Sequence, residues 1–192
     1  MAILILGLVL FLGTHSTRIF ADDWRTATIA RIGEKPWKGL YSVVSIATFV
    51  VLVWGYALAR RQPVLVWLPP RGMAHVAALL TLVAFVLFVA AYVPGNQIKS
   101  KLHHPMILGV KTWAFAHLLA NGTLADIVLF GAFMVWAIFS FSAARRRDRA
   151  AGTVYPAGRG SRTAIAVVAG VVAWAVFAFW LHGPLIGVRP LG

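Results

Sequence analysis

Six hydrophobic stretches fill most of this chain of 192 residues. A stretch of about 20 mostly apolar residues crosses a bilayer as a helix. In hydrocarbon the backbone has no water to bond, so such stretches must satisfy their own hydrogen bonds, which selects helices. The stretches run from Ala2 to about Phe20, Leu40–Ala59, Met73–Val93, Met106–Ala120, Leu124–Ala143 and Thr163–Leu181. The expected fold is therefore all-α: a polytopic transmembrane helical bundle of about six spans, five if the short Met106–Ala120 segment is re-entrant. No composition shift, repeat or heptad pattern divides it, so residues 1–192 read as a single integral membrane domain. The composition agrees, with 60% hydrophobic residues where soluble domains have about 45–50%.

The spans are closed by recognisable signals. Arg60-Arg61, Pro94-Gly95-Asn96 and Arg145-Arg146-Arg147 end the second, third and fifth. Asn121-Gly122 reads as a tight turn with Gly at a helix end, making spans four and five an antiparallel hairpin. Thr123 and Asp126 have the spacing of a capping box at the start of span five. The Gly-, Pro- and Ser-containing segment Ala150–Ser161 reads as a mobile loop. The N-terminus lacks a basic region and a clean cleavage site, so it is expected to be a retained first span and not a signal peptide.

The net charge of +13 comes from 18 Lys and Arg against 5 Asp and Glu. No nucleic-acid module accompanies it, so no nucleic-acid partner is expected. The positive charges lie between the hydrophobic stretches, where they meet anionic headgroups and orient the chain. Loops one, three and five hold twelve of them: Arg25, Arg31, Lys35, Lys38, Lys99, Lys101, Arg145, Arg146, Arg147, Arg149, Arg159 and Arg162. The opposite side has Arg60, Arg61, Arg71 and Arg189. This asymmetry predicts a multi-pass protein of a bacterial inner membrane with both termini periplasmic.

Zero Cys among 192 residues removes disulfides, thiolate nucleophiles and Cys-ligated metals. Histidine is the remaining strong ligand, and an ionisable residue within a span is a functional-site hypothesis by default. His15 lies inside the first stretch, with Arg18 one turn later on the same face. A ligating imidazole beside a cation suits a cofactor with its own carboxylates; the competing reading is a packed His with Arg18 reaching to the interface. His117 lies near the end of span four, with Trp113 and Asn121 on its face and small Ala114 and Ala116 beside it. It too reads either as a ligand or as a packed interfacial His. His104 precedes Pro105, a normal first helical residue, and suits a cap position. Thirteen residues separate His104 from His117, leaving them about 140° apart on one helix, so the two cannot readily grip one metal. Lys111, seven residues after His104, either snorkels or lines the bundle interior. His75 and His182 lie near span ends. There is no HExxH zinc motif, paired-carboxylate site or Ser-His-Asp arrangement.

The run His104-Pro105-Met106-Ile107-Leu108-Gly109-Val110-Lys111-Thr112-Trp113-Ala114-Phe115-Ala116-His117-Leu118-Leu119-Ala120-Asn121-Gly122 closely resembles the signature of NnrU-family membrane proteins. Gly39-Leu40-Tyr41-Ser42-Val43-Val44-Ser45 and Gly13-Thr14-His15-Ser16 do so as well. The likeness covers nearly the whole chain. The family is associated with denitrification, in nitrite and nitric oxide reduction. Its plant and cyanobacterial relative, 15-cis-zeta-carotene isomerase, contains haem b with histidine ligation. The resemblance implies that His15 and His117 ligate haem iron from opposite faces. His104 lies nearby without ligating; for a haem so held, Arg18 and Lys111 are the candidate propionate partners or electrostatic tuners. Depth is a check on this pairing. At 1.5 Å per residue, His15 lies about 20 Å from the outer end of span one and His117 roughly 5–10 Å from that of span four. The absence of Cys removes any Cys-for-His ligand exchange.

Three functions follow from these expectations. The first is a haem b protein carrying out redox or isomerase chemistry on a small or lipophilic substrate. The second is a non-catalytic accessory protein supporting nitrogen-oxide reductases or other membrane redox proteins. The third, a small transporter, lacks the repeated broken-helix pair that builds midplane sites.

Overall fold

The computed structural model describes residues 1–191 and is all-helical among them, with isolated bridges in place of any strand. The helices are α1 (Ala2–His15), α2 (Thr17–Phe20), α3 (Asp22–Ile32), α4 (Glu34–Ala59), α5 (Met73–Tyr92), α6 (Gln97–Leu102), α7 (Pro105–Ala120), α8 (Leu124–Ala150), α9 (Gly160–Val176) and α10 (His182–Ile186). A π-helical turn, Phe177–Leu181, joins the last two.

Four helical segments are long and apolar enough to cross a membrane: α4, α5, α8 and the run Gly160–Ile186. Two of the six expected spans are shorter. α7 has 16 residues. The first stretch, expected to continue to about Phe20, stops at His15 after 14 residues. Its end is built from local competition for the backbone. Thr14, Ser16 and Thr17 turn their hydroxyls back onto the carbonyls of Leu10, Leu12 and Thr14, an alternative to continuing the helix. Elsewhere the apolar stretches understate the helices. α4 begins six residues before Leu40, and α8 carries the Arg145–Arg147 run through to Ala150.

The bundle is an arc. α1 lies along α4, α8 beside α7, and α5 between α7 and α9, while α1 makes a smaller contact with α8. α1 and α4 cross closely because Gly7 and Gly55 face each other's backbone. A Cβ at Gly7 would lie 2.5 Å from Leu52 Cα, and one at Gly55 2.6 Å from the Ile3 carbonyl carbon. Small residues permit such approaches where lipid supplies no hydrophobic drive. A core of Leu4, Leu8, Leu52, Ala125, Leu129 and Phe130 joins the α1–α4 pair to α8 at one end of the molecule.

That end is fixed by polar caps. The Thr123–Asp126 capping box forms as expected. The Asp126 carboxylate also accepts from the Tyr56 hydroxyl of α4 at 2.5 Å and from Thr123 Oγ1 at 2.6 Å. The α7–α8 hairpin forms, but for another reason than a left-handed glycine. Asn121 is extended, and Gly122 is absent from the positive-φ positions. Instead its carbonyl accepts from the N–H groups of Val66 and Trp67, and a Cβ there would fall 1.9 Å from the Trp67 oxygen. Gly122 is needed for a passing loop.

The segment Ala150–Ser161, expected to be mobile, is tied down. Tyr155 stacks on His103 with 4.0 Å between centroids and 1° between planes. Its hydroxyl donates to Asp148 at 3.1 Å, and the Arg159 N–H donates to the Gly95 carbonyl at 2.8 Å.

Candidate functional site: a cavity beside His15

Where α1 ends, it parts from α8, and a cavity of about 1280 Å³ opens between the two halves of the arc. It is at the end away from the Asp126 caps. His15, Trp37, Tyr41, His104, Ser140 and Tyr155 are among its lining, with the cations Arg18, Arg25, Lys38 and Arg147. Small-molecule sites typically span about 300–1,000 Å³, so this one admits a large cofactor.

His15 is held in one ring orientation. Its Nδ1 lies 2.7 Å from the Phe11 carbonyl. A carbonyl only accepts, so Nδ1 carries the hydrogen and the neutral ring keeps its lone pair on Nε2. Metal-bound histidines are oriented by this kind of bond. The ring packs on Phe11 and meets Tyr41 and Trp136 edge-on, with centroids at 5.5 and 6.4 Å. The Trp136 indole N–H and the Ser45 hydroxyl are both buried without a partner. Ser45 is one helical turn beyond Tyr41, on the same face of α4. Buried polar atoms are nearly always satisfied, and the Trp136 indole that meets the His15 ring is one of the two exceptions.

The charges at the mouth are partly committed. Arg18 Nε lies 3.4 Å from Asp22, and Arg147 Nε lies 4.0 Å from the same carboxylate. Lys38 pairs with Glu34 at 2.8 Å, and the Arg25 guanidinium lies over the Trp37 ring. These exposed pairs are individually weak and open readily to a stronger anion.

His104 lines the cavity from the cap of α7. Its ring makes no capping bond. Its Nε2 lies 2.7 Å from Asp148 Oδ2, and both side chains are largely buried, 18% and 17% exposed. Neither Asp148 nor Tyr155 was singled out in the sequence. Asp148 is hidden in an arginine run and Tyr155 in a loop. Burial, and then the bond to Asp148, push the Tyr155 hydroxyl above the ordinary tyrosine range, which keeps it a donor.

His117 is outside the cavity. Its Nδ1 lies 2.9 Å from the Trp113 carbonyl, so it too leaves Nε2 free. Its ring stacks on Phe130 at 4.5 Å and meets Trp113 at 5.2 Å. Between the two imidazoles stands an aromatic layer, in which Phe133 touches Phe11 at 5.9 Å and Trp113 at 5.4 Å. Asn121 donates to the His117 carbonyl at 2.9 Å and closes the helix. Lys111 is exposed on α7 and does not line the cavity. His75 is exposed, and the His182 ring is engaged with the Val188 carbonyl. Among the described residues no cluster of three or more His, Cys, Asp or Glu is placed to hold a metal.

A family profile described as "NnrU protein" matches residues 3–190. The chain belongs to the NnrU family. No curated protein and no solved structure matches it. The match takes in every cavity-lining residue of this NnrU chain, from His15 to Tyr155.

Proposed function

We propose that this NnrU chain is a haem b-binding integral membrane protein whose cofactor occupies the cavity beside His15. The single observation that carries the reading is an imidazole with a free Nε2 that lines a cavity rimmed by cations and has the partnerless Trp136 indole beside it. A large flat group with a metal centre and two carboxylates matches that donor set. His15 would ligate the iron, with its Phe11 hydrogen bond fixing the ring and raising its basicity. Arg18, Arg25, Lys38 and Arg147 would receive the carboxylates, as cations pair readily with them. Trp37 and Tyr41 offer flat apolar contact. Bound haem supplies an iron centre for electron transfer or for holding a small ligand.

The second iron ligand implied by the family resemblance is His117. Ligation by both histidines requires the Phe11–Phe133–Trp113 layer to open, whereas ligation by His15 requires no such movement. The family's association with denitrification supports redox chemistry on nitrogen oxides, and its carotenoid-isomerase relative supports chemistry on a lipophilic substrate. The bilayer location is a bacterial inner membrane. α1 and α7 complete six crossings with their flanking turns, and the twelve basic residues of the odd loops lie inside. An accessory role beside nitrogen-oxide reductases is favoured by one observation, the packing of His117 among aromatic rings as an ordinary interior residue.

The test is haem content. Protein purified from membranes after expression with a haem precursor is expected to carry about one haem b per chain, measured as the pyridine haemochrome. Haem-free protein under those conditions would favour the accessory role.

A further inference from the structure

His104 is a wall between two spaces. It lines the large cavity, and it also lines a second cavity of about 260 Å³ with Ala91, Lys99 and His103. That volume is ample for water, which needs only about 10–15 Å³ and two to four polar partners. Lys99, His103 and His104 supply such partners there. Asp148 fixes the His104 tautomer. A carboxylate accepts, so Nε2 keeps its hydrogen and Nδ1 holds the lone pair. Among the described residues Nδ1 makes no hydrogen bond to protein, and the ring does not cap its helix. An imidazole with a largely buried carboxylate behind one nitrogen and nothing on the other is arranged as a general base.

We propose that His104 is the proton-exchange residue of the large cavity, positioned by Asp148 and Tyr155 and connected to the aqueous side through the smaller cavity. The ligand class is one with a dissociable O–H or N–H. In the step, that bond to hydrogen breaks and an Nδ1–H bond forms. The resulting imidazolium keeps its Nε2–H bond to Asp148, whose negative charge stabilises it. Release of the proton to water in the smaller cavity restores the neutral ring. The charged and titratable groups around His104 are Asp148 from α8, Tyr155 from the loop, and His103, Lys99 and Arg145 on the side of the smaller cavity. Arg147 and Arg18 lie on the side of the larger one. The inference rests on the large cavity being a ligand site, and it does not require that ligand to be haem.

The experiment is carbethoxylation of the detergent-purified protein by diethylpyrocarbonate across pH, read residue by residue by mass spectrometry. The reagent attacks unprotonated imidazole nitrogen. In the wild type His104 is expected to react at neutral pH and to lose reactivity as the pH falls. In D148N the carboxylate that holds Nε2–H is gone, so His104 is expected to react severalfold faster than in the wild type at mildly acidic pH. Y155F is expected to shift the profile the same way by less. Exposed His75 is the internal standard. His104 inert at every pH while His75 reacts would overturn the proposal, and the wild-type sample alone gives that result. A profile unchanged in D148N overturns it equally. Visible spectra of the same samples report on haem separately, so a colourless protein with a reactive His104 contradicts the haem reading and leaves this one standing.

Discussion

His15 and His117 each tie Nδ1 to the carbonyl one turn earlier, at 2.7 and 2.9 Å, yet their rings meet α8 at positions six residues apart. His15 meets Trp136 and His117 rests on Phe130, a rise of about 9 Å along that helix. Aromatic rings fill the interval between them. Phe130 is 5% exposed and carries both His117 and Trp113. Phe130→Ala is expected to destabilise the protein by about 3 kcal/mol, as large-to-small core changes do. Thermal unfolding in detergent, followed by tryptophan fluorescence, checks it.

Asp126 is a buried carboxylate held by donors from two helices. Tyr56→Phe removes the bond from α4 and leaves the carboxylate short of a partner. A loss of about 1–3 kcal/mol is expected. Asp126→Ala, which also breaks the capping box, should cost at least as much. A double variant no worse than Asp126→Ala alone would show in the same melts that the two residues act as a unit.

Gly122 has no room for a side chain. Gly122→Ala forces the Val66–Trp67 loop away from the α7–α8 turn, with an expected cost of about 1–3 kcal/mol. Faster hydrogen exchange at Val66 and Trp67, whose N–H groups bond to Gly122, is the local signature.

The tether of the Ala150–Ser161 segment depends on a protonated Tyr155. Its pKa is pushed above the ordinary tyrosine range near 10, first by burial and then by Asp148. A raised value means that the folded state binds the proton more tightly. The contribution is full below pH 10 and falls as the pH rises from there through the raised value. Limited proteolysis of the loop should accelerate above pH 10 in the wild type. Tyr155→Phe is expected to be cut faster already at neutral pH, with little further change.

Much of the fold was legible because it follows from local pattern. The apolar stretches marked the long helices, Pro105 marked the first residue of α7, and the Thr123–Asp126 spacing marked the cap of α8. The end of α1 was not legible from hydropathy, since it is set by three hydroxyls that compete for the backbone. Gly122 was recognised as a turn residue, but its reason is a loop about 55 residues earlier in the chain. The site was half legible. His15 and Arg18 stood out as polar groups in an apolar run, and both line the cavity. The Asp148 and Tyr155 partners did not stand out, because they come together with His103 and His104 only when α8 and its loop fold back over α6 and α7.

The most direct measurement is the absorption spectrum of detergent-purified protein, oxidised and dithionite-reduced, for the wild type, His15→Ala and His117→Ala. The account predicts a Soret band with sharp reduced α and β bands in the wild type and their loss in His15→Ala. With His117 as the second ligand, His117→Ala also loses the sharp low-spin bands. A colourless wild type after expression with a haem precursor, or a His15→Ala spectrum identical to wild type, would contradict it.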